Sequence, residues 1–136
     1  MWVCPVCRRS FKRKEQSHSC RLISKESLFE RRPPELKRIY KKIVSEVKKF
    51  GDYREETLPP DVIFFKTKST FLGVKAKKDH LEIEFFLEKL ENMPPVAKYL
   101  QTSKHRVVHL VPVDQPEDIN KQLVNWMKRS YHLISD

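Results

Sequence analysis

The sequence predicts a small α+β protein, in which a short Cys/His-rich module precedes one domain made of a helix, a four-stranded antiparallel sheet and a second helix. Apolar residues recur at three- and four-residue steps at both ends of this domain, as in amphipathic helices, and four segments between them have strand-like patterns. Because strands and helices do not alternate, an antiparallel sheet with helices on one face is the economical packing. The 136 residues suffice for one such core, which excludes a long multidomain enzyme.

The first 20 residues form the Cys/His-rich module. All three cysteines of the chain lie here, in the spacing Cys4-x2-Cys7-x10-His18-x-Cys20. Zinc prefers four nitrogen or sulfur ligands in a tetrahedron, and four protein ligands leave no position open for a catalytic water. An odd number of thiols in a reducing compartment also favours metal ligation over disulfides. We therefore predict a structural Zn²⁺ in a knuckle-like or ribbon-like module over residues 1–20. The alternatives are three thiols without metal, and iron or a redox role for the cysteines.

The excess of positive over negative charge is confined to the first 50 residues of the chain. The net charge is +10, and residues 1–50 contain 15 Lys and Arg against five Asp and Glu, whereas residues 51–136 contain 13 of each. Residues 21–34 are predicted to be a basic connector to the α+β domain over residues 35–136. Such one-sided charge favours a polyanionic partner, because clustered cations that contact phosphates release counterions and thereby strengthen binding. A solvated basic face that binds nothing is the alternative.

The domain is predicted to begin with an amphipathic helix. Apolar residues recur from Leu36 to Phe50 at helical spacing. Pro34 suits the start of the helix, and Gly51 can end it. The outer face would then present a basic ridge of Lys37, Arg38, Lys41 and Lys42.

Four strands and a second helix follow. Strands are predicted over residues 62–67, 71–77, 81–87 and 106–111, and the short polar links between the first three favour hairpins. After the third strand, residues 96–100 are predicted to form a helical turn. The last helix is predicted over residues 117–133, with acidic residues at its start and a buried side made of Ile119, Leu123, Trp126 and Met127.

Three stretches together resemble a known family. They are Trp2-x-Cys4-Pro5-x-Cys7-x3-Phe11-x4-Gln16-x-His18-x-Cys20, Lys77-Lys78-Asp79-His80-Leu81 and Asp118-Ile119-x3-Leu123-x2-Trp126. They are similar to a family of small, mostly prokaryotic proteins that is catalogued as a domain of unknown function. The resemblance covers nearly the whole chain. It implies a zinc-binding N-terminus attached to a small α+β domain, with no assigned reaction.

The basic residues of the module favour DNA or RNA as the partner. Zinc would fix their charges on one small surface, which suits contacts to phosphates rather than to base edges. We expect a nucleic-acid-binding module whose phosphate contacts are Arg8, Arg9, Lys12, Arg13, Lys14 and Arg21. Phe11 either stacks on a base or forms the small core of the module. The alternative is that these cations only keep the module soluble and favour its thiolates.

The aromatic residues of the sheet support a second hypothesis. Phe64 and Phe65 are adjacent, as are Phe85 and Phe86, and neighbouring strand residues point to opposite faces. One member of each pair is therefore predicted to line the second face of the sheet. That face would bind a protein partner or a small ligand, or would mediate self-association, and the zinc module would be purely structural. Coverage of both faces by helices or loops is the alternative.

Catalysis and membrane binding are not favoured. Glu82 and Glu84 share one strand face, but exposed strand glutamates are usually only the solvent side, and a hydrolase would need a larger carboxylate cluster. Two glycines are too few for a glycine-rich phosphate loop. No apolar run approaches the roughly 20 residues that span a bilayer, and the start lacks the pattern of a secretory signal. We therefore expect a cytoplasmic protein.

Overall fold

The computed structural model describes residues 2–4, 10–15, 28–30, 32–58 and 61–136. In this part of the chain, a short hairpin consists of β1 (Trp2–Val3) and β2 (Ser10–Phe11). The helices are α1 (Pro34–Val47) and α2 (Lys121–Ser135). The main sheet contains β3 (Arg54–Leu58), β4 (Val62–Lys66), β5 (Thr70–Ala76), β6 (Leu81–Leu87), β7 (Lys98–Ser103) and β8 (Arg106–Val113).

The main sheet has the strand order β3-β4-β5-β6-β8-β7, and every neighbouring pair is antiparallel. The first four strands form a meander. β8 then pairs with β6, so that the connection between β6 and β7 bypasses β8 and leaves β7 at the sheet edge. The α+β class and the antiparallel sheet are thus as the sequence predicts.

The prediction of four strands is wrong, because the sheet has six. The two missed strands are β3 and β7, which lie at opposite edges. β3 begins with Arg54-Glu55-Glu56 and shows no apolar alternation; it forms through backbone pairing with β4 from Arg54↔Lys66 to Leu58↔Val62. β7 overlaps the helical turn predicted over residues 96–100. All six of its side chains are exposed, so that only its ladder with β8 defines it.

The helix ends also differ from the prediction. Pro116–Asp118 form a 3₁₀ turn, and α2 begins after Asn120, whose side-chain oxygen accepts a hydrogen bond from the Leu123 N–H at 3.0 Å. α1 ends at Val47, and a turn then leads to Gly51. Gly51 has a φ of 147°, and a Cβ at this position would collide with the Tyr131 hydroxyl. Gly51 is therefore required by both its backbone angle and its neighbour.

Both helices pack on the same face of the sheet. The strand registers place Phe65, Leu72 and Phe85 in one row, and all three side chains are fully buried. The Tyr40 ring of α1 lies 6.2 Å from the Phe65 ring, and the Trp126 ring of α2 stacks on Phe85 at 5.4 Å. The apolar core therefore lies between this face and the two helices.

The residues just before α1 are anchored on the domain. Leu28 and Phe29 belong to the buried core, and the Phe29 ring lies 5.4 Å from the Tyr40 ring. The Arg32 guanidinium donates hydrogen bonds to the carbonyl oxygens of Lys77 at 2.9 Å and Ala76 at 3.1 Å. These contacts tie the end of the predicted connector to the end of β5.

Ser130 joins α2 to the centre of the sheet, which gives a test of the packing. Its buried hydroxyl donates to the Phe71 carbonyl oxygen at 2.6 Å and accepts from the Phe86 N–H at 2.9 Å. Ser130→Ala should lower the free energy of unfolding by about 1–3 kcal/mol, because two backbone groups lose their partner away from water. Urea unfolding measures the loss. Ser45→Ala, on the exposed side of α1, is the control; an equal loss there would contradict this role.

Candidate functional site

The N-terminal hairpin contains the first predicted zinc ligand. Trp2 pairs with Phe11 and Val3 with Ser10, and the rings of Trp2 and Phe11 lie 5.9 Å apart. Cys4 directly follows β1, and only 3% of it is exposed. The Cys-x2-Cys motif therefore starts at the end of a paired strand, beside a small aromatic contact.

The other predicted site residues fall into two groups. The exposed side chains of Lys12, Arg13 and Lys14 follow β2. The rest lie outside the described residues: Cys7, His18 and Cys20 among the zinc ligands, and Arg8, Arg9 and Arg21 among the phosphate contacts. In the part of the chain that the structure describes, no three His, Cys, Asp or Glu side chains could hold a metal ion together. The zinc site and the phosphate contacts of the module stay predictions.

Three exposed lysines lie in a line along α1 and the helical C-cap residue that follows it, and we call them the lysine stripe: Lys37, Lys41 and Lys48. At 100° and 1.5 Å per residue, they lie within about 40° of one another and span about 16 Å of the helix. Their ammonium groups make no hydrogen bond or ion pair with any described residue. The stripe is therefore a row of uncompensated positive charges on a rigid element.

The remaining charged residues of this helix and its last turn are engaged with neighbours. Arg38 and Glu35 form an ion pair at 2.6 Å, and Lys49 lies 3.4 Å from Glu46. Lys42 donates a hydrogen bond to the Pro116 carbonyl oxygen at 3.0 Å. Of the basic ridge predicted from the sequence, Lys37 and Lys41 thus keep unpaired charges, and Lys48 joins them because the helical backbone continues to that residue.

The sheet face opposite the helices, which we call the open face, is lined by outward residues of β4, β5, β6 and β8. Phe64 and Phe86 lie there half-buried, whereas Phe65 and Phe85 are fully buried in the core, as strand alternation predicts. A cavity of about 210 Å³ lies on this face. Its lining includes Phe64, Gly73, Lys75, Glu82, Glu84 and Leu110.

On the open face, the carboxyl group of Glu84 has a shifted pKa. Burial raises the pKa of its carboxyl group, and the nearby Glu82 carboxylate raises it further, while Lys75 acts in the opposite direction. Neither glutamate makes a hydrogen bond or ion pair with a described residue. Sequence reasoning treated both as solvent-side residues; their half-burial depends on neighbouring strands, which the local pattern does not contain.

His109 is a buried residue that sequence reasoning missed. Its ring stacks on Phe85 at 5.3 Å with an interplanar angle of 5°, and Nε2 accepts a hydrogen bond from the Glu91 N–H at 3.1 Å. Nδ1 lies 3.0 Å from the Val107 carbonyl oxygen, to which it donates, so that the imidazole is held in one neutral tautomer. Burial lowers the pKa of His109, which agrees with a packing role.

A larger cavity of about 590 Å³ lies between the end of β6 and the last turns of α2. Acidic and basic side chains both line it, among them Glu88, Lys128 and Arg129. Arg129 is engaged by Glu91 at 2.6 Å. This cavity has no uniform charge that would select one class of ligand. None of the described helices is long and apolar enough to cross a membrane.

In the part of the chain that the structure describes, these features define a small α+β protein with helices α1 and α2 on one side of a six-stranded antiparallel sheet and the open face on the other. A family model described as a domain of unknown function, DUF5655, matches residues 25–134, and the chain belongs to this family. Membership in an uncharacterised family is thus confirmed. The match begins after the four Cys/His residues of the N-terminal motif. No curated protein and no solved structure matches the chain.

Proposed function

We propose that this protein binds nucleic acid through phosphate contacts from its N-terminal third. The observation that carries the proposal is the lysine stripe, three unpaired cations on one exposed face of α1 and its C-cap residue. The stripe lies in the same third of the chain that contains the whole positive excess. Such a row of cations suits the phosphate backbone of a nucleic acid, because each contact between a lysine and a phosphate releases counterions.

Local electrostatics support this assignment. The two acidic side chains of α1 are already paired with cations, Glu35 with Arg38 of the same helix and Glu46 with Lys49 of the turn that follows, so that a phosphate meets no unpaired carboxylate there. The exposed side chains of Lys12, Arg13 and Lys14 add charge from the hairpin. Contacts to phosphates position a protein but read no bases, and we therefore expect little sequence preference.

We also propose that Zn²⁺ orders the N-terminal module, with Cys4, Cys7, His18 and Cys20 as its ligands. Three thiolates and one imidazole are a donor set that zinc takes in tetrahedral sites. The burial of Cys4 fits a ligand that faces inward. A module of about 20 residues lacks the apolar surface to fold alone, so that the metal would supply most of its stability.

Fluorescence anisotropy with labelled single- and double-stranded DNA and RNA tests the nucleic-acid proposal. At 50 mM salt we expect micromolar or tighter binding that weakens steeply by 200 mM. Lys37→Gln/Lys41→Gln/Lys48→Gln should weaken binding about tenfold or more. The slope of log affinity against log salt should become shallower by about two to three units, because each lost phosphate contact removes just under one.

The matched control removes the same number of charges from exposed turns of the sheet, in Lys78→Gln/Lys89→Gln/Lys104→Gln. It should retain most of the affinity. An equal loss in both triple variants would mean that only net charge matters, and no binding at 50 mM salt would refute the proposal.

Metal analysis of the purified protein tests the zinc proposal. We expect about one zinc per chain, lost in Cys7→Ser and in Cys20→Ser because three ligands hold the ion far more weakly than four. His80→Gln, which removes an imidazole from the β5–β6 turn, should keep the metal. Protein purified under reducing conditions without chelator that contains no zinc would disprove the site, as would full retention in both cysteine variants.

A further inference from the structure

The cavity on the open face is built from two parallel rows of side chains. The strand registers align Phe64, Gly73, Glu84 and Leu110 across β4, β5, β6 and β8. Two residues further along the strands, they align Val62, Lys75 and Glu82, which also line the cavity. Because neighbouring strands are about 4.8 Å apart, these side chains form one continuous surface.

Gly73 gives this surface its shape. It is one of only two glycines in the chain, and it lies in the middle of a central strand, where glycine weakens the sheet. A Cβ at Gly73 would lie 3.3 Å from a ring carbon of Phe64 and 3.4 Å from the Glu84 Cβ. The Phe64 ring thus leans over the glycine backbone and forms an apolar wall close to the Glu84 side chain.

The charge of the cavity is opposite to that of the protein. Glu82 and Glu84 outweigh Lys75, which leaves a formal charge of −1 in a chain of net charge +10. Both carboxylates lack a hydrogen-bonding or ionic partner among the described residues, and Glu84 is half-buried. Burial also raises the pKa of Glu84, which indicates a carboxylate that water solvates poorly and that a cation would stabilise.

We propose that this cavity binds a small organic monocation, a primary ammonium group on a short apolar stem. The ammonium lies between the carboxylates of Glu82 and Glu84, and the stem packs against Phe64 and Leu110. The Phe64 ring adds a cation–π attraction if the ammonium lies over its face. Lys75 forms no ion pair with either carboxylate, but its charge offsets one of the two negative charges of the lining, which favours a single positive charge on the ligand.

Size and donor chemistry disfavour other ligands. At about 210 Å³, the cavity is smaller than the roughly 300–1,000 Å³ of pockets for drug-sized molecules, and it suits a ligand of a few heavy atoms. Calcium takes six to eight oxygen ligands, and Glu82 and Glu84 supply the only side-chain oxygens of this lining. The Lys75 ammonium in the same lining would repel a divalent cation. An anion would be repelled by the negative charge, and a neutral ligand would leave Glu84 without a partner.

An NMR titration of the ¹⁵N-labelled 136-residue protein tests this inference, with n-butylammonium as the probe and n-butanol as its uncharged counterpart. We expect saturable shifts of the Gly73 and Glu84 amide signals, with a dissociation constant in the millimolar range, because the ligand is small. Glu84→Gln should weaken n-butylammonium binding about tenfold or more. Glu88→Gln, an exposed acid just after β6, is the matched control and should bind as the unchanged protein does.

Loss of folding would not explain a loss of binding by Glu84→Gln. Since the pKa of Glu84 is raised in the folded state, its ionised form costs stability at neutral pH, and the amide removes that cost. The variant should therefore be at least as stable at pH 7, and its spectrum should remain that of the folded protein.

Three results would overturn the proposal: no saturable shift at these amides, equal weakening by Glu84→Gln and Glu88→Gln, or n-butanol binding as tightly as n-butylammonium. A lysine blocked at both its amino and carboxyl ends is a further probe. If it binds ten or more times tighter than n-butylammonium, the cavity takes a lysine side chain of another protein, which would also overturn the assignment to a free amine.

Discussion

The alternation of side chains along β4, β5 and β6 is the constraint on which the rest of the structure depends. One face of these strands presents Phe65, Leu72 and Phe85 to the helices, and burial of this row fixes the strand registers. A shift of one residue would move the whole apolar row to the other side. The same registers therefore place Gly73 beside Phe64 and Glu84 on the open face, so that the core and the cavity depend on one arrangement.

Two surfaces of opposite character follow from this packing. The helices cover the core with their apolar sides and turn their charged sides outward, which leaves the lysine stripe on α1 in solvent. The open face retains aromatic residues and two unpaired carboxylates. Because polyanions and small cations are attracted to opposite charges, the two surfaces would select different ligands, and we propose that the protein uses both.

The sequence predicts those parts of the structure whose pattern is local. The predicted bounds of the strand Leu81–Leu87 are correct to the residue, because every second side chain from Leu81 to Leu87 is apolar. The helix α1 is predicted by the helical spacing of its apolar residues. The edge strands β3 and β7 were missed because backbone pairing, rather than side-chain burial, defines them. The cavity was missed for a related reason: Phe64, Gly73 and Glu84 lie on three strands, and only their register brings them together.

The separation of the two surfaces is the central claim, and NMR mapping with a short oligonucleotide tests it most directly. At low salt we expect amide signals to shift along α1 from Lys37 to Lys48, because the lysine stripe contacts the phosphates. The amide signals of Gly73 and Glu84 should remain unchanged, since both residues lie in the strands that form the open face, away from the lysine stripe. Shifts confined to the open face, with α1 unaffected, would contradict the claim.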